Sequence, residues 1–60
     1  MEREQALAEL PTAYAVALRL SEQGVPTEVI ARGVGVEPEA LEPLLRLARV
    51  KLARLMEEQR

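Results

Sequence analysis

Residues 27–46 read Thr-Glu-Val-Ile-Ala-Arg-Gly-Val-Gly-Val-Glu-Pro-Glu-Ala-Leu-Glu-Pro-Leu-Leu-Arg, and they are the most informative part of the sequence. It predicts a short helix, a tight turn and a second helix, which is the plan of a helix-turn-helix. Ala31 supplies the small residue needed where the two helices approach, and Gly35 suits a turn position with positive φ. The apolar residues expected to hold the helices at a fixed angle are Ile30, Val34, Val36, Leu41 and either Leu44 or Leu45. An ordinary αα-hairpin in a helical bundle is the alternative interpretation.

Two further helices are predicted on the N-terminal side of this stretch. The first covers about residues 2–10 and ends before Pro11, because a residue that precedes proline is pushed out of the α region. The second covers about residues 12–23, with Thr12 as N-cap and Gly24 at the left-handed C-terminal position. Its apolar stripe is expected to consist of Ala13, Val16, Ala17 and Leu20, widened by Tyr14 and Leu18.

The helix-turn-helix itself supplies the third and fourth predicted helices. The third begins at about Pro26 or Thr27 and ends at residue 32 or 33. Thr27 can act as its N-cap. The fourth begins near Pro38 and continues to about residue 58. If it does, Pro43 falls within or just past its first turn and removes a hydrogen bond. Alternatively, the long helix begins at Pro43, and residues 38–42 form a separate turn. The core-facing stripe of this helix comprises Leu41, Leu44, Leu45, Ala48, Leu52, Leu55 and Met56.

We therefore predict an all-α fold in which residues 1–60 form one domain of four helices. The domain contains a helix-turn-helix and ends in a long helix. A chain of 60 residues without cysteine or histidine has neither disulfides nor the usual zinc ligands to stabilise it. The stability of so small a domain must then come from well-packed helices, from oligomerisation or from a bound partner.

The sequence also argues against catalysis. There is no cysteine or histidine to act as nucleophile or base, and Ser21 has no general base nearby in the sequence. Residues 33–35 are too short for a phosphate-binding loop and lack the lysine that follows one. We expect a protein that is not an enzyme and has no cofactor or metal. The longest apolar run, Ala13 to Leu18, is too short for a membrane span, and Met-Glu-Arg-Glu does not open a signal peptide. A cytoplasmic location is the resulting expectation.

The chain resembles region 4 of bacterial RNA polymerase sigma factors, especially those of the extracytoplasmic-function type. The resemblance covers about two-thirds of the chain and is carried by Leu10-Pro11, Gly24-Val25-Pro26, Ile30-Ala31, Val34-Gly35-Val36 and Leu47-Ala48-Arg49. It implies a four-helix domain that touches promoter DNA with its last helix and can contact RNA polymerase or an anti-sigma factor. The chain departs from the family at Glu37, Glu39 and Glu42, where the family is neutral or basic. These carboxylates would face DNA phosphates, or they stabilise a helix N-terminus.

Four cations follow these carboxylates and are the candidate DNA-binding residues: Arg46, Arg49, Lys51 and Arg54. The alternative is a solvated helix with charge pairs Glu42–Arg46 and Arg54–Glu58, which are spaced four residues apart.

A second apolar row on the last helix is the candidate protein interface, with Arg54 bordering it: Pro43, Leu47, Val50 and Arg54. A small monomer cannot cover two opposite apolar stripes, so we expect a homodimer or a partner helix.

The sequence is compatible with two main functions. The first is a transcription-related module that binds double-stranded DNA, RNA polymerase or another transcription protein. The second is a degenerate helix-turn-helix that forms homodimers or binds proteins without binding DNA. An oligomeric phage DNA-packaging or plasmid protein is a third possibility with no specific support.

Overall fold

The computed structural model describes residues 2–58, and this part of the chain is helical without a strand. Its four helices are α1 (Arg3–Glu9), α2 (Thr12–Glu22), α3 (Thr27–Val34) and α4 (Pro38–Glu58). Each break lies where proline or glycine predicts it. The all-α class, the four helices and the long last helix are thereby confirmed.

Two glycines in the left-handed region end α2 and α3. Gly24 has φ 83° and Gly35 has φ 78°, a region that residues with a Cβ rarely enter. After α2, the N–H of Gly24 donates to the carbonyl of Ser21, and the N–H of Val25 donates to that of Leu20, each at 3.1 Å. This pair of bonds is a Schellman motif, and it satisfies carbonyls that the helix end would otherwise leave unpaired.

The two threonines predicted as caps do not act as caps. The N-cap positions of α2 and α3 are Pro11 and Pro26, and neither helix has a side-chain capping hydrogen bond. Both prolines have extended ψ values, 143° and 144°, so the helix starts at the residue that follows. Thr12 and Thr27 are therefore already helical, and their hydroxyls lie one position too late to cap.

The start of α4 decides between the two alternatives for Pro43. The helix begins at Pro38 and runs through Pro43 to Glu58 without a break. Pro38 occupies the first turn, where its missing N–H removes no bond. Pro43 lies deeper in the helix, so the carbonyl of Glu39 has no N–H to accept from at that position. The ring of Pro43 is exposed.

One hydrophobic core joins all four helices. Both α2 and α4 contact each of the other three helices. The core consists of Ala6, Leu7, Leu10, Ala17, Leu18, Ile30, Ala31, Leu41, Leu45, Ala48 and Leu52. No charged or polar residue within residues 2–58 is buried. Within the same part of the chain, no helix is both long and apolar enough to span a membrane.

The buried face of α2 differs from the predicted stripe. Ala17 and Leu18 are buried, and Tyr14 and Leu20 pack partly against the core, but Ala13 and Val16 are exposed. The side of the helix centred on Leu18 is covered because α1, α3 and α4 all contact α2. The prediction was wrong for Ala13 and Val16, since periodicity alone cannot tell which edge of a broad stripe the neighbouring helices will cover.

Candidate functional site

The outward face of α4 is the candidate binding surface, and the core fixes its orientation. Leu41, Leu45, Ala48 and Leu52 follow one another at intervals of three or four residues and are all buried. Leu44, Leu55 and Met56 pack partly against the same core. The predicted core stripe of the last helix is confirmed, so the residues on its opposite side must face outward.

The turn between α3 and α4 sets where this face begins. The N–H groups of Gly35 and Val36 both donate to the carbonyl of Ala31, each at 2.9 Å. Ala31 itself is buried and Val36 packs against the core. Two amides converging on one carbonyl reverse the chain tightly, so only residues 35–37 separate α3 from α4. This is the helix–turn–helix arrangement that residues 27–46 predict.

The first turns of α4 carry a concentration of negative charge. Glu37, Glu39 and Glu42 are exposed, and none of them takes part in an ion pair within residues 2–58. The N-terminus of α4 lies at Glu37 and Glu39, and its dipole favours carboxylates there. A negatively charged surface of this kind repels the phosphate backbone of DNA.

The four cations predicted to bind DNA are all exposed but do not form one patch. At about 100° per residue, Arg46 and Arg49 lie on one side of the apolar row, and Lys51 lies on the other. Arg54 continues the row itself. Arg49 and Lys51 therefore point about 160° apart. A single flat ligand would contact at most part of the set.

The charge pairs predicted along α4 are absent. Within residues 2–58 the ion pairs are Arg3–Glu22 and Glu4–Arg19, and both join α1 to α2. The predicted pairs Glu42–Arg46 and Arg54–Glu58 do not form. Exposed pairs on one helix gain little energy and require two long side chains to be held still, so the side chains remain in solvent.

Sequence reasoning missed a groove that two of the cations share with the end of α1. Lys51 and Arg54 line it together with Glu9, and its volume is about 260 Å³. The remaining lining residues are Leu10, Pro11, Leu55 and Glu58. The groove forms because α1 packs against the later turns of α4. No local pattern in the sequence signals that packing.

The apolar row on the outside of α4 is solvent-exposed, as its spacing predicts. Leu47 is 51% exposed and Val50 is 46% exposed. Pro43 and Arg54 are exposed at the two ends of the row. Pro43, Leu47 and Val50 form an exposed strip of apolar surface on α4, which Arg54 borders at one end.

The described residues contain no group of three His, Cys, Asp or Glu side chains that could hold a metal ion.

Compared with models of known protein families, with curated proteins and with solved structures, the chain matches none. The resemblance to sigma factor region 4 therefore stays a prediction from the residues that carry it.

Proposed function

We propose that this protein is a transcription-related helix-turn-helix module, similar to region 4 of sigma factors, that binds DNA, the transcription machinery or both. The observation that carries the proposal is the α3–turn–α4 arrangement, in which Gly35 ends α3 at φ 78° and α4 starts three residues later. A helix-turn-helix places its second helix against a macromolecule, most often in the major groove of DNA. The proposed activity is binding, without catalysis.

Contact with DNA would come from the exposed cations of α4. Arg46 and Arg49 lie on the same side of the helix and can reach adjacent phosphates. Lys51 and Arg54 follow one turn later. Each phosphate contact releases a counterion, so binding through these residues weakens as salt rises.

The test is a fluorescence anisotropy titration of random duplex DNA at about 50 mM and about 200 mM salt. We expect binding that weakens between the two conditions and is reduced further by Arg46→Gln with Arg49→Gln. The matched control is Arg3→Gln with Arg19→Gln, which removes the same charge from α1 and α2. Equal losses in both variants would assign the binding to net charge rather than to α4. The absence of binding at about 50 mM would overturn the DNA-binding part of the proposal.

A second function, a degenerate helix-turn-helix that binds protein or pairs with itself, is favoured by a different observation. The first turns of α4 present three exposed carboxylates, Glu37, Glu39 and Glu42, where a DNA-reading helix meets phosphates. The same helix exposes Leu47 and Val50. This function predicts no DNA binding at physiological salt together with a stable complex between protein chains.

A further inference from the structure

The exposed row on α4 has a spacing that reads the same in both directions. Pro43, Leu47, Val50 and Arg54 are separated by four, three and four residues. Alternating steps of three and four are those of a helix that packs along another helix. The midpoint of the row lies between Leu47 and Val50, its two apolar and half-exposed members. A two-fold axis through that midpoint maps the row onto itself.

We infer that α4 pairs with α4 of a second copy of this chain, in antiparallel orientation, about an axis between Leu47 and Val50. This inference deepens the second of the functions proposed above and does not depend on DNA binding. In this register Leu47 lies opposite Val50 of the second copy, and Val50 lies opposite Leu47. Each contact therefore occurs twice, as an isologous interface requires. The interface removes from water the apolar strip that the monomer leaves uncovered.

The charges along α4 favour the antiparallel orientation over the parallel one. The first turns are acidic, with Glu39 and Glu42, and the following turns are basic, with Arg46 and Arg54; all four are exposed. In a parallel pair each charged residue would lie beside the same residue of the second copy, so like charges would meet. In the antiparallel pair, Arg54 lies opposite Pro43 of the second copy, next to Glu42 and about one turn from Glu39. Complementary charges of this kind set the orientation of paired helices.

Two positions in this register bring like charges opposite each other. Arg46 lies opposite Lys51 of the second copy, although the two lie on different sides of the row, and the pairing of Glu57 gives the register a signature. Glu57 lies opposite residue 40 of the second copy, close to Glu39, so two carboxylates meet at each end of the interface. Replacing Glu57 by lysine would turn this repulsion into attraction only in the antiparallel register. Since the row from Pro43 to Arg54 spans only about 16 Å of helix, we expect a dissociation constant in the micromolar range.

Sedimentation from low micromolar to about 1 mM protein tests the pairing. We expect the wild type to dimerise, Leu47→Glu to stay monomeric, and Glu57→Lys to dimerise more tightly than the wild type. The matched control is Val29→Glu, because Val29 on α3 is 52% exposed but lies outside the row. It should dimerise as the wild type does. A wild type that is monomeric at the highest concentration, or a Val29→Glu variant as impaired as Leu47→Glu, overturns the inference.

The orientation is tested separately, using the absence of cysteine from the chain. A nitroxide attached to Glu57→Cys reports the distance between the two copies by pulsed electron spin resonance. The antiparallel register separates the two labelled positions by about 25 Å along the helix axis. A parallel pair would hold them about 10 Å apart, which is one interhelical distance, and would contradict the inference. Neither outcome depends on DNA, so failure of this pairing is distinguishable from failure of DNA binding.

Discussion

The backbone N–H of Gly35 donates a hydrogen bond of 2.9 Å to the carbonyl oxygen of Ala31 and so closes α3. Gly35 can do this because it has φ 78°, which turns the chain away from the helix axis. Ala31 is buried beneath this turn, so the hydrogen bond ties the reversal of the chain to the core. The direction in which α4 leaves the turn depends on this one backbone conformation.

Gly35→Val should destabilise the domain by more than about 1 kcal/mol, because a β-branched residue is strained at positive φ. Nothing lies within 4 Å of an added Cβ, so the Cβ meets no clash and the expected loss comes from backbone strain. Gly33→Ala is the matched control, since Gly33 lies inside α3 and its Cβ also meets open space. The Gly33→Ala variant should be more stable than the wild type by about 0.4–1 kcal/mol. Thermal unfolding followed by circular dichroism measures both, and an unchanged melting temperature for Gly35→Val would contradict the assigned turn.

Pro43→Ala should stabilise the protein by about 1–3 kcal/mol, because alanine restores an N–H that the carbonyl of Glu39 can accept. Pro38→Ala should change stability little, since the first helical residue has no intrahelical bond to lose. Chemical denaturation of both variants gives the comparison. If Pro38→Ala gains as much as Pro43→Ala, helix propensity rather than the missing hydrogen bond explains the effect.

Leu41→Ala and Leu47→Ala should differ in their effect on stability, because Leu41 lies on the buried face of α4 and Leu47 on its exposed face. Leu41 is fully buried, and its truncation should cost about 2–5 kcal/mol, enough to leave a domain of this size largely unfolded. Leu47 is 51% exposed, so its truncation should change stability by less than about 0.5 kcal/mol. Both values are to be measured over a series of protein concentrations and extrapolated to infinite dilution, where self-association does not contribute. Similar losses in the two variants would show that the outer face is buried within the monomer.

The ion pair between Glu4 and Arg19, with Oε1 and Nη1 2.9 Å apart, should contribute little to stability. The side chains of Glu4 and Arg19 are 66% and 42% exposed, so solvent screens their attraction. A double-mutant cycle with Glu4→Gln and Arg19→Gln should give a coupling energy of about 0.2–1 kcal/mol. The coupling should shrink further when salt is added. A coupling well above this range that resists salt would mean that the pair is desolvated.

The helices and their ends could be predicted from the sequence because they depend on local chemistry. Proline cannot continue a helix from the residue before it, and glycine alone enters positive φ without strain. Pro11, Gly24 and Gly35 therefore mark the breaks that the structure has. The same holds for the two faces of α4, since a period of 3.6 residues separates Leu41 from Leu47 whatever the neighbouring helices do.

The packing of the helices against one another determines which edge of α2 is buried and which charged side chains meet. Val16 is exposed and Leu18 is buried because three other helices cover one edge of α2. Glu4 pairs with Arg19, and Glu9 shares a groove with Lys51, through the packing of α1 on α2 and α4. These contacts join residues far apart in the chain. They depend on how the core closes, which no local preference of the backbone encodes.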